Sequence, residues 1–201
     1  MKWKVGMEEI QEKKREIRND LIKTLEGMSE EVVAERTKAI GNRLFEFANF
    51  LEANITLLYV STKHEVGTGE ILKRSFEYGK IVVLPAFDVN QFKMKLLKVD
   101  NLKSSLISGP RGVMEPDSQQ CKKVPIDCID IAIIPGIVFD EKGARIGSGS
   151  GFYDRLIPKL PITTRKVALS MEEQIIPQIP MESHDKHVDI IITDKRIIYK
   201  I

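Results

Sequence analysis

The chain after Asn54 alternates short runs of Ile, Val and Leu with stretches of helical period. The runs are ITLLYV, KIVVLPAF, IDIAIIPG, KVALS and VDIIIT, at residues 55–60, 80–87, 129–136, 166–170 and 188–193. Strands that are apolar on both faces are typical of parallel sheets covered by helices on both sides. The pattern therefore predicts an α/β fold whose largely parallel central sheet is flanked by helices.

Two further segments predict antiparallel strands at the margins of this sheet. QFKMKLLKV, residues 91–99, alternates polar and apolar side chains, as a half-exposed strand does. The sequence VDIIITDKRIIYK at the end of the chain predicts a closing hairpin with a short turn at DK. We therefore expect a mixed sheet.

The first 50 residues predict a pair of amphipathic helices. Apolar residues from Met7 to Met28 recur on one helical face, and Gly27 and Ser29 are typical of a helix end followed by a new N-cap. A second helix is predicted from Glu30 to Phe50. The sequence shows no repeat and no long linker, so residues 1–201 are expected to form a single domain.

The composition excludes several function classes. With 31 basic and 29 acidic residues the net charge is +2, which gives no global attraction to nucleic acid or to an anionic membrane. The N-terminus lacks the apolar core of a signal peptide, and no apolar run approaches the roughly 18 residues of a membrane span. We expect a cytoplasmic monomer or weak homodimer.

The irregular segment 109–125 is predicted to be a long surface loop.

The stretch RIGSGSGFYDR, residues 145–155, follows a predicted buried strand and precedes a predicted helix. Ligands of open α/β sheets collect where such loops meet the carboxyl ends of strands. The three glycines allow successive backbone N–H groups to turn toward one anion. Arg145 and Arg155 offer fork-shaped contacts, and Asp154 offers a magnesium ligand. These residues indicate a binding site for a nucleotide complexed with a metal ion, although a flexible structural turn remains an alternative.

The first predicted helix carries two cations whose position is unusual. Lys14 lies on the apolar stripe of this helix, and Arg18 follows one turn later. Cations four residues apart repel each other unless an anion lies nearby. Either Lys14 extends from the packed face into water, or the helix contributes both cations to the phosphate site.

The segment PGIVFDEKGARIGSGSGFYDR resembles the signature of the 5-formyltetrahydrofolate cyclo-ligases, also called methenyltetrahydrofolate synthetases. Shorter similar pieces occur in the family's order: KREIR, HEVGT, YGKIVVLP, GVMEP, and ALSMEEQ followed by VDIII. The resemblance extends from Lys14 to about Ile192. It implies a ligase that uses ATP and Mg²⁺ to convert 5-formyltetrahydrofolate to 5,10-methenyltetrahydrofolate, ADP and phosphate.

The resemblance also implies the roles of individual residues. Residues implied to hold ATP are Lys14, Arg18, Arg145, Ile146, Gly147, Ser148, Gly149, Ser150, Gly151, Phe152 and Tyr153. Of these, Arg145 and Tyr153 are implied to be catalytic. Asp154 and Asp189 are implied magnesium ligands, and Val60 and Glu65 match positions that line the folate site. In the implied reaction the formyl oxygen attacks the γ-phosphate, and N10 then captures the activated carbon.

The chain departs from the family pattern in its folate half. Gly67 stands where an acidic residue is common, and Phe152 where tyrosine is common. These departures leave open a divergent relative acting on another small substrate, for example in thiamine-related cofactor metabolism, or a non-catalytic nucleotide-binding module. Aromatic residues make up only 6% of the chain, and the candidates for stacking on a pterin are Phe87, Phe92, Phe139, Phe152 and Tyr153.

Overall fold

The computed structural model describes the backbone of residues 2–200 and the side chains from Glu8 onward. The helices are α1 Lys2–Glu26, α2 Glu30–Glu46, α3 Ala48–Glu52, α4 Gly69–Glu77 and α5 Phe152–Leu156. The first six strands are β1 Ile55–Leu57, β2 Ile81–Asp88, β3 Lys93–Val99, β4 Leu106–Ser108, β5 Met114–Pro116 and β6 Ile131–Ile134. The remaining strands are β7 Val138–Asp140, β8 Arg145–Ile146, β9 Arg165–Ser170, β10 Ile175–Ile176, β11 Ile190–Thr193 and β12 Ile197–Tyr199. Within this part of the chain, no helix combines the length and apolar character needed to cross a bilayer.

The central sheet has seven strands in the order β12-β11-β9-β6-β1-β2-β3. The five inner strands are parallel, and each edge strand is antiparallel to its neighbour. The prediction of a mixed, largely parallel sheet with antiparallel margins is confirmed. The predicted closing hairpin is also present, since Ile190 of β11 pairs with Tyr199 of β12.

Helices and loops cover both faces of the sheet. Along β6, Ile131 and Ile133 pack into the core beneath α2, α3 and α4, whereas Ala132 and Ile134 pack into the core beneath α5. All four are at most 1% exposed. Each fully buried aliphatic side chain stabilises the fold by about 1.5–3 kcal/mol relative to an exposed one. This double burial explains why the inner strands are continuous apolar runs.

The second helix is interrupted, contrary to the prediction of one helix from Glu30 to Phe50. Phe47 has extended angles, φ −77° and ψ 117°, between α2 and α3. Phe45, Phe47 and Phe50 are all buried. In an unbroken helix, residues two apart point about 200° apart, so the first two could not share one core. The break at Phe47 lets all three rings enter it.

The segment 109–125 is not wholly a surface loop. β5 lies inside it and pairs with β4, and Glu115 of β5 is only 4% exposed. One carboxylate oxygen of Glu115 accepts the backbone N–H of Phe87 in β2 at 2.9 Å. Burial raises the pKa of this carboxyl group. The hairpin formed by β4 and β5 is therefore attached to the central sheet, and its turn projects beyond β2.

A second hairpin, formed by β7 and β8, delivers Arg145 to the carboxyl edge of the sheet. Its turn is organised by the buried Asp140, whose carboxylate accepts backbone N–H groups of Lys142, Ala144 and Ile179 at 2.9–3.0 Å. Gly143 in this turn has φ 83°, in the left-handed region. A Cβ atom at Gly143 would overlap the carbonyl oxygen of Val188.

We expect Gly143→Ala to lower the free energy of unfolding by about 3 kcal/mol, because the left-handed backbone and the overlap with Val188 add together. Gly79→Ala is the matched control: its φ is 71°, but no atom lies within 4 Å of the added Cβ. The control should lose about 1 kcal/mol. Denaturant unfolding of both variants measures the difference, and equal losses would contradict the role of the Val188 contact.

Candidate active site

A cavity of about 780 Å³ opens at the carboxyl edge of the parallel strands. Its floor is formed by residues that follow β1 and β6 and by the end of β2, among them Tyr59, Pro135 and Phe87. β2 and β6 lie on opposite sides of β1, so the strand order reverses here. Such a reversal is where open α/β sheets bind ligands, and the volume suits a small molecule.

The glycine-rich loop, residues 147–151, forms one wall of this cavity. Gly149 and Gly151 have φ values of 97° and 65°, in the region that favours glycine. A Cβ at Gly149 would lie 3.4 Å from Nη1 of Arg18, and one at Gly147 would lie 3.0 Å from Nη1 of Arg145. The glycines therefore allow two guanidinium groups to approach the backbone of the loop.

Arg145 and Asp154, at the two ends of this segment, form an ion pair with Nη2 and Oδ1 2.7 Å apart. The side chain of Arg145 is only 4% exposed. Burial lowers the pKa of Arg145, and the neighbouring carboxylate of Asp154 opposes that shift. Among the described residues, Nε of Arg145 has no hydrogen-bond partner. A buried cation thus lies in the cavity wall with one donor unused.

Helix α1 forms the opposite wall and brings Lys14 and Arg18 to the cavity. Nζ of Lys14 contacts Oε2 of Glu182 at 2.9 Å and also the carboxylate of Asp185. Nη1 of Arg18 lies 3.5 Å from the carbonyl oxygen of Gly147. The interpretation in which Lys14 extends into water is wrong, because its side chain is only 13% exposed and paired. The helix contributes both cations to the cavity.

Sequence reasoning missed the carboxylates of Glu182 and Asp185. Both lie in the segment before β11, and the backbone N–H of Glu182 donates to Oδ2 of Asp185 at 2.6 Å. His184 is near both, with Nε2 3.8 Å and 3.7 Å from their oxygens. The one available signal was Lys14 itself, since a cation on a packed helical stripe requires an anionic partner.

Asp189, in contrast, is not part of the cavity. It lies one residue before β11, at the amino edge of the parallel sheet, opposite the cavity. Its carboxylate accepts the backbone N–H of Lys166 at 3.0 Å and pairs with Nζ of the same lysine at 3.3 Å. The expectation that Asp189 joins Asp154 is therefore corrected: the cavity-facing carboxylates of this segment are Glu182 and Asp185.

Val60 and Glu65 line the end of the cavity next to β1. Oε2 of Glu65 accepts the backbone N–H of Thr62 at 2.8 Å. The hydroxyl of Tyr153 is buried and has no hydrogen-bond partner among the described residues. Burial, and secondarily the negative charge of Glu65, raises the pKa of Tyr153, so its hydroxyl remains a neutral donor.

An aromatic group lies between this end and the glycine-rich loop. The ring centroids of Phe87 and Phe152 are 5.0 Å apart, edge to face. Arg111, from the turn between β4 and β5, places Cζ 4.3 Å from the Phe87 centroid and donates a 3.2 Å hydrogen bond to Oγ of Ser148. Arg111 was missed because its segment was predicted to be a surface loop.

Two of the proposed stacking residues, Phe139 and Phe92, lie outside the cavity wall. Phe139 is fully buried in the core beneath α5. Phe92 is 56% exposed, and Cζ of Arg155 lies 5.2 Å from its ring centroid. Arg155 itself donates to the carbonyl oxygens of Ser150 and Gly151, so it supports the loop from outside the cavity.

The donor set suits a phosphate chain and a hard divalent cation. Arg145 and Arg18 present fork-shaped donors from two sides of the glycine-rich loop, and Lys14 presents a compact cation. Asp154 and Asp185 present carboxylate oxygens in the same cavity, the ligands that Mg²⁺ prefers. The unused Nε of Arg145 is an independent sign of a further acceptor.

Comparisons with known proteins agree on one family. The profile described as the 5-formyltetrahydrofolate cyclo-ligase family matches residues 10–194. A probable 5-formyltetrahydrofolate cyclo-ligase of Caenorhabditis elegans is 31% identical over 96% of this chain and 98% of the relative. A probable enzyme of the same name from Schizosaccharomyces pombe is 29% identical over 94% and 98%.

Two solved structures share the fold. The 5,10-methenyltetrahydrofolate synthetase of Aquifex aeolicus superposes with a TM-score of 0.81 at 26% identity, covering 92% of each chain. The enzyme of that name from Mycoplasma pneumoniae superposes with a TM-score of 0.72 at 17% identity, covering 90% of this chain and 98% of that one. The second likeness supports the fold alone.

We expect Tyr153→Phe to change the free energy of unfolding at pH 7 by less than about 1 kcal/mol, because the lost hydroxyl makes no hydrogen bond. The pKa of Tyr153 is raised in the folded state, so above the ordinary tyrosine pKa of 10.0 the unfolded chain releases this proton while the folded protein keeps it. The free energy of unfolding of the wild-type protein therefore falls as the pH rises above 10. The variant should therefore become the more stable protein above pH 10. Unfolding curves at neutral and alkaline pH measure this, and a large loss at pH 7 would reveal a structural hydrogen bond.

Proposed function

The chain belongs to the 5-formyltetrahydrofolate cyclo-ligase family, and we propose that it converts 5-formyltetrahydrofolate to 5,10-methenyltetrahydrofolate with ATP and Mg²⁺. One observation carries this proposal. A single cavity joins Lys14, Arg18, Arg145 and a glycine-rich loop to an end lined by Val60 and Glu65. A reaction between a nucleotide and a folate needs both halves within reach of each other.

The nucleotide half consists of α1 and the glycine-rich loop. Lys14, Arg18 and Arg145 neutralise phosphate charge, and the loop backbone from Ile146 to Tyr153 follows the phosphate chain. In phosphoryl transfer the protein mainly positions groups and neutralises developing charge. Arg145 is proposed as a catalytic residue because its buried guanidinium retains an unused N–H beside the loop.

Asp154 and Asp185 are the residues proposed to hold Mg²⁺. When bound, the ion neutralises charge on the phosphate oxygens. Asp154 also forms an ion pair with Arg145, so the same carboxylate is proposed to contact both the guanidinium group and Mg²⁺. Asp189 has no part in this assignment, since Lys166 holds it at the other edge of the sheet.

The folate half is formed by the wall next to β1 and by the aromatic group. One oxygen of Glu65 is held by the backbone of Thr62, which leaves the other to accept hydrogen bonds from the N–H edge of a pterin. Phe152 and Phe87 supply apolar surface, with Arg111 above them. Tyr153, neutral and unpaired, is proposed to donate a hydrogen bond to a substrate oxygen next to the transferred phosphoryl group.

The proposed chemistry balances without a further reactant. The formyl oxygen forms a bond to the γ-phosphorus as the bond to ADP breaks. N10 then bonds to the formyl carbon, loses its proton, and phosphate leaves with the former formyl oxygen. Phosphorylation is required because the formyl oxygen is a poor leaving group, whereas phosphate is a good one.

The alternative of a divergent relative is weakened by the position of Gly67. A Cβ there would meet only Cγ2 of Thr37, at 3.5 Å, and Gly67 does not line the cavity. Phe152 and the loop serines Ser148 and Ser150, which also differ from the common family pattern, remain as departures inside the site. We further propose that residues 1–201 act as one domain, as a monomer or weak homodimer in the cytoplasm.

The first experiment mixes purified protein with Mg-ATP and 5-formyltetrahydrofolate and follows the near-ultraviolet absorbance of the methenyl product. ATP-dependent product supports the proposal. Thermal stabilisation by Mg-ATP, without product and without any effect of folate, would favour the two alternatives, the divergent relative and the non-catalytic nucleotide-binding module.

Lys14→Ala should lower turnover by about tenfold or more, because a cation next to the phosphates is lost. Lys13→Ala is the matched control, since Lys13 is exposed on the same helix and does not line the cavity. The control should keep wild-type turnover. Steady-state rates of both variants decide, and equal rates would remove Lys14 from the site.

Arg111→Ala should raise the KM for the folate about tenfold while leaving the KM for ATP within about twofold, since Arg111 covers the aromatic end of the cavity. Initial rates with each substrate varied in turn separate the two constants. If instead only the KM for ATP rises, Arg111 acts on the phosphates through Ser148.

A further inference from the structure

Two cations of the cavity, Lys14 and Arg145, are already paired with carboxylates of the protein. Lys14 is bound by Glu182 and Asp185, and Arg145 is bound by Asp154. Three carboxylates therefore face two cations on two walls of the cavity. A polyanion that enters the cavity gains no excess positive charge from these groups until the carboxylates are otherwise neutralised.

Glu182 is the most firmly held of these carboxylates. Its side chain is only 4% exposed, and Nε2 of Gln11 contacts its two oxygens at 3.1 Å and 3.0 Å. The carboxylate of Glu182 is thus held from two sides, by the ammonium group of Lys14 and by the amide group of Gln11.

We propose that Glu182 is a specificity-determining residue that makes the site select a metal-complexed nucleotide over a metal-free one. This inference rests on the proposed function, because it concerns the same nucleotide. Glu182 acts through Lys14: it occupies the ammonium group that a phosphate must reach.

The physical basis is the fate of the displaced charge. A metal-free nucleotide that binds Lys14 leaves Glu182 and Asp185 without their cation and next to several phosphate charges, which repel them. A divalent cation that accompanies the nucleotide gives these carboxylates a new positive neighbour as Lys14 moves to phosphate. Metal and nucleotide are therefore coupled, and each raises the affinity for the other by the same factor.

The test is calorimetric titration with a non-hydrolysable ATP analogue, once with Mg²⁺ and once with a chelator. Wild-type protein should bind the magnesium complex about a hundredfold more tightly than the metal-free analogue. Glu182→Gln keeps the shape and the contact with Gln11 but removes the charge, and it should reduce this ratio about tenfold through tighter metal-free binding. A ratio unchanged from wild type would overturn the inference.

Two further variants exclude simpler explanations. Glu16→Gln removes an equal charge from an exposed residue of α1 that does not line the cavity, and it should leave the ratio unchanged. An equal fall in this control would show that net charge alone is responsible. If Glu182→Gln folds poorly, Gln11→Ala replaces it as the test. This variant removes the hydrogen bonds from Gln11 to Glu182 and should also lower the ratio. Absence of analogue binding by wild-type protein under both conditions would instead refute the proposed function.

Discussion

The ion pair between Arg145 and Asp154 is the interaction on which the candidate site depends. The two residues are nine positions apart, and their contact closes the intervening chain into a ring that includes the whole glycine-rich loop. The ring is small and must pass close to guanidinium groups, which explains why glycine recurs within it. Removing one partner of a buried pair leaves an uncompensated charge, at a cost of about 3–5 kcal/mol. The same pair therefore holds the loop and orients the cation.

Segments far apart in sequence are brought to this ring by separate anchors. Helix α1 is held through Lys14 to the segment at Glu182 and Asp185, and the turn between β4 and β5 is held by Glu115 from below and by Ser148 from the side. The anchors at Lys14 and Glu115 use a charged side chain at a largely buried place, where a hydrogen bond is costly to lose, whereas the hydrogen bond between Arg111 and Ser148 is exposed. Polar contacts thus fix the walls of the cavity, whereas the sheet beneath them is held together by apolar packing.

The sheet was predictable because its signal is local and periodic. Apolar runs of strand length give the parallel core, and alternation in residues 91–99 gives an edge strand. The break at Phe47 was not predictable, because it satisfies three aromatic rings that meet only in the folded core. The roles of Arg111 and Asp185 were not predictable for a similar reason, since each depends on which distant segment it faces. The prediction for Asp189 was wrong because it rested on residue type alone. The direction of β11 places Asp189 at the amino edge of the sheet, away from the cavity.

The buried carboxylate of Asp140 links two walls of the cavity mechanically. It holds the turn that leads to Arg145, and it also holds the backbone of Ile179, which leads to Glu182 and Asp185. The glycine-rich loop and the acidic segment therefore share one support in the interior. A local opening that releases this support frees both walls together, so the two should behave as a single cooperative unit in hydrogen exchange. The site is preserved or lost as a whole, not one wall at a time.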